Sequence, residues 1–262
     1  MYLSHINTYP IKSTHPIALK SSYLNNTGVA YDRHWMLVGE DDAMLTSRKH
    51  PKLLHIRSRI DAGHLVVEMP YGDFLLPLQP QPQSQYELLV QHWGDEPLAA
   101  WPQNSALDAA LSTYLELPCR LVYNASLGLG SAAPTAVSFA DAQPLLLTTS
   151  ASLAALNQRL ESPIGMDRFR TNLVVNNTLA DIEDGWQKIR IGACELAVAS
   201  PCERCVLTTI DPVTLQQHPQ QEPLRTLAKY RRLDGAGVGF GINLTVIKGG
   251  MISLNDRVEI LA

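Results

Sequence analysis

The stretch Leu65-Val66-Val67-Glu68-Met69-Pro70-Tyr71-Gly72-Asp73-Phe74-Leu75-Leu76-Pro77-Leu78 sets the character of the fold. Two apolar runs, Leu65–Met69 and Phe74–Leu78, flank a Tyr-Gly-Asp turn, which is the pattern of consecutive strands. The same pattern extends outward in both directions. Tyr2–Tyr9, Trp35–Val38, Leu53–Ile60 and Tyr86–His92 read as further strands. Asn25-Asn26-Thr27-Gly28, Gly39-Glu40-Asp41-Asp42 and Asp61-Ala62-Gly63 supply the turns between them. No long helical period interrupts the series, so the N-terminal portion reads as a small antiparallel barrel or sandwich. Pro77–Gln85, rich in Pro and Gln, reads as a loop.

Helical periodicity begins at Ser105–Leu115, where Leu107, Ala110, Leu111, Tyr114 and Leu115 share a face and Asn104 or Ser105 can cap it. A loop of Gly, Ser, Ala, Pro and Thr spans Leu127–Ser138. A second helix is expected at Ala151–Leu160 with Ser150 as its N-cap, and a third near Leu224–Arg231 after Pro223. Strands resume at Leu173–Val175, Lys188–Ile191, Glu195–Ala199 and Val206–Ile210. The chain is expected to end in a hairpin of Asn243–Ile247 and Met251–Ile260, turned by Lys248-Gly249-Gly250. The expected class is therefore mixed and β-rich: an antiparallel barrel-like domain over 1–95 and an α+β or β-barrel domain over 96–262. The boundary falls between 95 and 125.

Composition narrows the function. The chain has 262 residues, 21 Lys plus Arg against 25 Asp plus Glu, and a net charge of −4. No global basic excess favours nucleic acid or an anionic membrane, so an anion site must be a local cluster. No window reaches the roughly 18 apolar residues of a membrane-spanning helix. The N-terminus lacks a basic region followed by an apolar core, so no signal peptide is expected. Four cysteines do not make a disulfide scaffold, and the expected compartment is the reducing cytoplasm.

Three segments offer chemistry. Pro201-Cys202-Glu203-Arg204-Cys205-Val206-Leu207-Thr208-Thr209-Ile210-Asp211-Pro212 holds a Cys-x-x-Cys pair. On spacing alone the pair has three readings: a thioredoxin-like redox pair, part of a structural zinc site with Cys194 and His218, or two structural cysteines. Arg204 beside Cys205 would favour a thiolate if the loop brought the two together. Asp211 is either a proton-delivering neighbour or a turn residue before Pro212. The second segment, Met166-Asp167-Arg168-Phe169-Arg170-Thr171-Asn172, places two arginines before a strand, and Arg is the usual bidentate partner of phosphate. The third is a constellation: Tyr9-Pro10-Ile11-Lys12-Ser13, Tyr31-Asp32-Arg33-His34-Trp35 and Thr46-Ser47-Arg48. Each sets a cation beside small hydroxyl or backbone donors, which suits a phosphate or a pterin-like ring. The eight histidines show no metal-ligand pairing and read as structural or exposed.

These segments, in this order, resemble the MOSC proteins: a MOSC N-terminal β-barrel domain followed by a MOSC domain, as in the mitochondrial amidoxime-reducing component, its bacterial relatives and the C-terminal part of molybdenum cofactor sulfurase. Glu222-Pro223-Leu224 and Gly237–Gly241 extend the resemblance, which covers nearly the whole chain. It implies a molybdenum cofactor, the metal held by the dithiolene of a phosphorylated pterin (Mo-molybdopterin). By position Cys205 is the metal ligand and the catalytic residue. Lys12, Ser13, Arg33, Arg48, Arg168, Arg170 and Asn172 are implied cofactor-binding residues. Thr149 and Ser150, at the expected start of the second helix, would add an anion site, because free N–H groups there favour one. The implied activity is reduction of small N-hydroxylated compounds. Some bacterial relatives carry a C-terminal iron–sulfur domain; with no cluster-type Cys run after Cys205, either such a domain lies outside this sequence or a separate ferredoxin- or flavodoxin-like protein donates the electrons. The alternative is a carrier of cofactor or of persulfide sulfur on Cys205 without redox turnover of its own.

Overall fold

The apolar positions Leu3 and Ile6 of the strand Tyr2–Thr8 are buried, and their strand pairs antiparallel with Leu173–Asn176, far away in the sequence. Long-range pairings of this kind build most of the molecule. The computed structural model describes residues 1–81, 87–94, 96–128, 138–235 and 237–262. Strands are many and helices few, the mixed, β-rich class expected from the sequence. The chain forms two compact units. One comprises Met1–Thr8, Ala18–Ala30 and Ala142–Ala262; the other comprises Tyr9–Ile17 and Tyr31–Asp141.

The first unit is organised by an eight-stranded sheet. Its order is Val258–Ile260, Lys188–Ile191, Cys194–Glu203, Gly239–Lys248, Leu145–Thr149, Leu173–Asn176, Tyr2–Thr8, Ile17–Leu19. Leu145–Thr149 and Leu173–Asn176 run parallel. Parallel neighbours need a crossover, and the helix Ser150–Asn157 lies on it. A small sheet of Gly250–Ser253, Ser21–Asn25 and Gly28–Val29 completes the unit. Leu145, Leu147, Leu173, Val175, Leu196 and Leu244 belong to its main core, all inaccessible to solvent. A satellite cluster packs Phe169 on Phe240, with ring centroids 4.0 Å apart.

The second unit holds a four-stranded sheet, in the order Trp35–Val38, Arg120–Asn124, Leu98–Pro102, Leu88–Val90, and a three-stranded meander of Arg57–Asp61, His64–Met69 and Gly72–Pro77. The helix Ser105–Leu115 has the expected bounds, and Leu107, Leu111 and Leu115 are its buried stripe. Asn104 caps it: the side-chain oxygen accepts from the N–H groups of Ala106 and Leu107, each at 3.0 Å. Every strand order has two ends, so no sheet among the described residues closes into a barrel.

Several local expectations are corrected. Val206–Ile210 is not a strand; Val206–Thr209 is a 3-10 turn. The Thr208 hydroxyl donates to the Cys205 carbonyl at 2.9 Å and the Thr209 hydroxyl to that of Val206 at 2.7 Å, local bonds that compete with a sheet ladder. The final hairpin does not form. Gly250–Ser253 pairs with Ser21–Asn25, and Val258–Ile260 pairs with Lys188–Ile191. Gly249 permits the diversion, because a Cβ there would lie 2.4 Å from the Leu24 carbonyl oxygen. Leu53–Ile60 divides into a 3-10 turn, Pro51–His55, and the strand Arg57–Asp61. The second helix is capped by Thr149 rather than Ser150 and ends at Asn157, while the third is the single turn Leu224–Leu227. Most of the loop expected over Leu127–Ser138 and part of that over Pro77–Gln85 lie outside the described residues, as does Tyr86.

Replacing Asn104 by Ala removes the acceptor for two helix N–H groups and should destabilise the protein by about 1 kcal/mol. Urea unfolding of the two proteins measures the difference. A change under about 0.3 kcal/mol would mean that water replaces the cap at no cost.

Candidate functional site

In the first unit the Cys-x-x-Cys segment leaves the sheet at Glu203 and enters the 3-10 turn at Cys205. Cys205 is exposed, Cys202 is half-buried, and Cys119 and Cys194 are buried. Arg204 has two side-chain hydrogen-bond partners here. Its Nη1 donates to Cys202 Sγ at 2.9 Å, and its Nη2 donates to the Phe169 carbonyl at 2.7 Å. Its guanidinium also lies 5.4 Å from the Phe169 ring centroid. Arg204 thus links the cysteine segment to the turn Met166–Phe169.

Arg168, on that turn, reaches the same place. Its Nη1 donates to the Thr208 carbonyl at 3.3 Å and its Nη2 to Asp211 Oδ2 at 2.8 Å. Thr208 in turn donates its N–H to the Cys205 carbonyl at 3.1 Å. Arg168 and Cys205, separated in sequence, are therefore held on two packed turns. The other oxygen of Asp211 accepts from the N–H groups of Val213 and Thr214. Those bonds, with Arg168 beside them, hold the Asp211 carboxyl below the usual range despite partial burial. It carries no proton at neutral pH, so the proton-delivering role gives way to a structural one.

Arg170 takes a left-handed φ of 51° and turns the chain from Met166–Phe169 toward the strand Leu173–Asn176. Asn172 is buried between strands. Its Oδ1 accepts from Leu146 N at 3.1 Å and its Nδ2 donates to the Asn7 carbonyl at 3.2 Å. At the helix start, the Thr149 and Ser152 hydroxyls donate to the buried Glu183 carboxylate, and the Ser150 hydroxyl donates to Asn176 Oδ1. Burial pushes the Glu183 carboxyl up, partly offset by those hydroxyls. This helix terminus already faces an internal carboxyl.

The zinc alternative does not assemble. Cys194 lies in the main core, and His218 Nδ1 accepts from the N–H groups of Gln220 and Glu222. No three His, Cys, Asp or Glu side chains among the described residues are grouped to hold a metal ion. What the unit presents is a single exposed thiol beside an arginine-braced turn.

In the second unit the cations of the front constellation converge. Lys12 N donates to the Trp35 carbonyl at 2.8 Å and Arg33 N to the Tyr9 carbonyl at 2.9 Å, which lays Tyr9–Ser13 along Tyr31–Trp35. Ser13, Tyr31 and Arg33 all have positive φ, at 70°, 64° and 55°. Such backbone persists only where its surroundings enforce it. Buried Asp32 does so here: Oδ1 accepts from Tyr9 N at 2.8 Å, while Oδ2 pairs with Arg33 Nη1. The Arg33 guanidinium lies 4.3 Å from the Tyr9 ring centroid. Lys12 is buried and donates to the Phe139 carbonyl at 2.7 Å and to Asp141. Arg48 lies 4.6 Å from the centroid of Trp93, a ring that also faces Lys12. Sequence reasoning gave no role to Asp32 and missed Trp93 and Asp141, which reach the site only through tertiary folding.

These descriptions define a class: a strand-rich protein with an exposed cysteine on one unit and a buried cationic cluster on the other. Comparison with known proteins makes it specific. Residues 1–118 match the MOSC N-terminal beta barrel domain and residues 134–259 match the MOSC domain. The chain belongs to the MOSC-domain family. It is 31% identical to mitochondrial amidoxime-reducing component 1 of Mus musculus, covering 97% of this chain and 80% of the relative. It is 30% identical to mitochondrial amidoxime reducing component 2 of Homo sapiens, covering 95% and 80%. It is also 30% identical to molybdenum cofactor sulfurase of Solanum lycopersicum, covering 93% of this chain but 33% of that longer protein.

The ring nitrogens of His34, between Arg33 and Trp35, are buried and have no hydrogen-bond partner among the described residues. The ring meets Tyr31 and Tyr123 edge-on. Burial lowers its pKa to about 4 from an ordinary 6.5. Below pH 6.5 the unfolded chain gains a proton that the folded protein refuses, so stability falls as the pH drops from 6.5 toward 4. That component reaches about 3 kcal/mol at pH 4. Urea unfolding of wild type and His34→Phe at pH 7 and pH 4 checks it: the variant should lose about 3 kcal/mol less than wild type. Equal losses would show that His34 takes up its proton as readily folded as unfolded.

Proposed function

We propose that this protein binds a molybdenum cofactor through Cys205 and reduces small N-hydroxylated compounds. The observation that carries the reading is the exposed Cys205 thiol at the opening of a turn that Arg168 braces. The donor set fits such a group. A dithiolene brings two sulfurs of its own, so one protein thiolate suffices, and thiolate suits sulfur-rich coordination. A bare ion would require several protein ligands instead.

In this reading Cys205 holds the metal. Arg168 fixes the turn that presents it and offers its remaining donors to an anionic group. Arg170 and Asn172 shape the adjoining backbone. Lys12, Ser13, Arg33 and Arg48 are the second unit's proposed contribution: a cationic cluster whose charge-assisted bonds would suit a phosphate or a pterin edge. Thr149 and Ser150 are given no contact in this reading, because the helix-start N–H groups of Ala151 and Ser152 already donate to Asn177 Oδ1 and Thr149 Oγ1. When bound, the cofactor supplies the two-electron chemistry that removes oxygen from an N–O bond; the protein supplies binding, orientation and electrostatics. Electrons come from a separate ferredoxin- or flavodoxin-like protein. A reducing cytoplasm keeps the four free thiols reduced.

A second reading rests on the same exposed thiol and on the likeness to molybdenum cofactor sulfurase. There Cys205 would carry persulfide sulfur or pass on cofactor without turnover.

Elemental analysis separates the two. Protein made in a host that synthesises the cofactor should contain near-stoichiometric molybdenum, and Cys205→Ala should lose at least about nine-tenths of it. The parent should then reduce an amidoxime to the amidine with a chemically reduced viologen as electron source. Molybdenum in neither protein, with a sulfane-sulfur adduct on Cys205, would overturn the enzyme reading in favour of the carrier.

A further inference from the structure

We propose that Asp141 is a positioning residue: its carboxylate, braced by Trp93, holds the buried Lys12 side chain as an ammonium within the cluster of Arg33 and Arg48. Anion binding at that cluster would then depend on Asp141, although Asp141 is itself an anion. The consequence for anions rests on the reading of Lys12, Arg33 and Arg48 as a phosphate or pterin site. The positioning of Lys12 does not.

The geometry is specific. The Lys12 side chain is 6% exposed, and that of Asp141 is 60% exposed. Lys12 Nζ has three protons; one goes to the Phe139 carbonyl and one to Asp141 Oδ1. The same Oδ1 accepts from Trp93 Nε1 at 3.0 Å. The Trp93 ring lies 5.6 Å from Lys12 Nζ and 4.6 Å from the Arg48 guanidinium, measured to its centroid. One indole therefore fixes the carboxylate through its N–H and faces both cations with its ring, an arrangement in which cation–π attraction contributes.

The charges around Lys12 oppose its protonation in all but one case. Burial removes it from water, and Arg33 and Arg48 repel its positive charge. His92 also faces it, but burial lowers that imidazole to about 4, so it is neutral at pH 7. Among the described charged groups felt by Lys12, Asp141 alone favours the ammonium, through attraction and through the hydrogen bond; the uncharged Phe139 carbonyl and Trp93 ring add to it. The balance leaves Lys12 at about 8, lowered from 10.5 chiefly by burial. A buried lysine without a counter-ion gives up its proton readily. Removing the Asp141 charge should therefore leave the amine at least about half neutral at pH 7, with correspondingly less charge to offer an anion.

The test follows the Lys12 side-chain amine by NMR as a function of pH, in full-length protein labelled with 13C and 15N lysine and assigned with Lys12→Arg. The wild-type midpoint is expected near 8. Asp141→Asn should move it down by about one to three pH units, the usual effect of losing an adjacent opposite charge, and Asp141→Glu should restore most of it. A midpoint that stays put in folded Asp141→Asn overturns the proposal. Should that variant fail to fold, Trp93→Phe keeps the carboxylate but removes its N–H brace. A smaller downward shift there supports the proposal, and none overturns it. Binding of inorganic phosphate, read at pH 7 from the same spectra, tests the consequence: Asp141→Asn should weaken it at least about threefold. A shifted midpoint in a protein that binds no phosphate supports the positioning of Lys12 and overturns the anion-site reading.

Discussion

Arg204 holds two turns together, and the candidate site of the first unit depends on it. One guanidinium reaches the Phe169 carbonyl, the Phe169 ring and the Cys202 sulfur. The turn Met166–Phe169 is thereby fixed against the segment that ends in Cys205. Arg168 adds a second tie through Thr208 and Asp211. Beneath them Phe169 stacks on Phe240, so the polar ties sit on a packed apolar base. The planar fork of Arg is suited to serving several acceptors at once, which the single ammonium of Lys would not match in geometry. The exposed cysteine is thus carried on backbone that polar ties and packing fix on several sides.

The second unit solves the opposite problem. It must hold like charges close together under partial burial, and each cation has its own compensation. Arg33 has Asp32, Lys12 has Asp141, and Arg48 has the face of Trp93. Asp32 is buried as well as charged, and it also satisfies Tyr9 N. Losing one partner of a buried ion pair leaves an uncompensated charge and typically costs about 3–5 kcal/mol. Such a pair therefore enforces the positive φ of Arg33 more firmly than a surface pair would.

What was legible in the sequence was mostly local. The helix Ser105–Leu115 was readable because its stripe and its cap lie within a dozen residues. The strands Trp35–Val38 and Lys188–Ile191 were readable because apolar runs and turn residues bound them. Val206–Thr209 misled because its β-branched residues favour strands, while the hydroxyls of Thr208 and Thr209 bond back to nearby carbonyls. The final segment misled for a non-local reason: its partners are strands that no turn residue announces. The candidate residues of each unit divide in the same way. The segments of Lys12, Arg33, Arg168 and Cys205 were visible as motifs. Asp141 and Trp93 were not, since they lie far from Lys12 in sequence and contact it only through the fold.

The two clusters, one on each unit, differ in burial, and each suits the chemistry proposed for it. A thiolate that is to bind a metal needs access more than compensation, because the metal itself neutralises it. Cys205 is exposed and its neighbour Arg204 is tied to Cys202, an arrangement that would suit the proposed metal ligand. Cations that are to bind a phosphate need their charge in place beforehand, in a medium of low polarity where each bond counts for more. Lys12 is buried and held by two acceptors, an arrangement that would suit the proposed phosphate or pterin contact. A carboxylate such as Asp141 beside the proposed anion site is a liability in one respect, since it repels the ligand. For a buried lysine among arginines it is also what preserves the charge, and attraction for an anion is lost entirely once the ammonium becomes an amine.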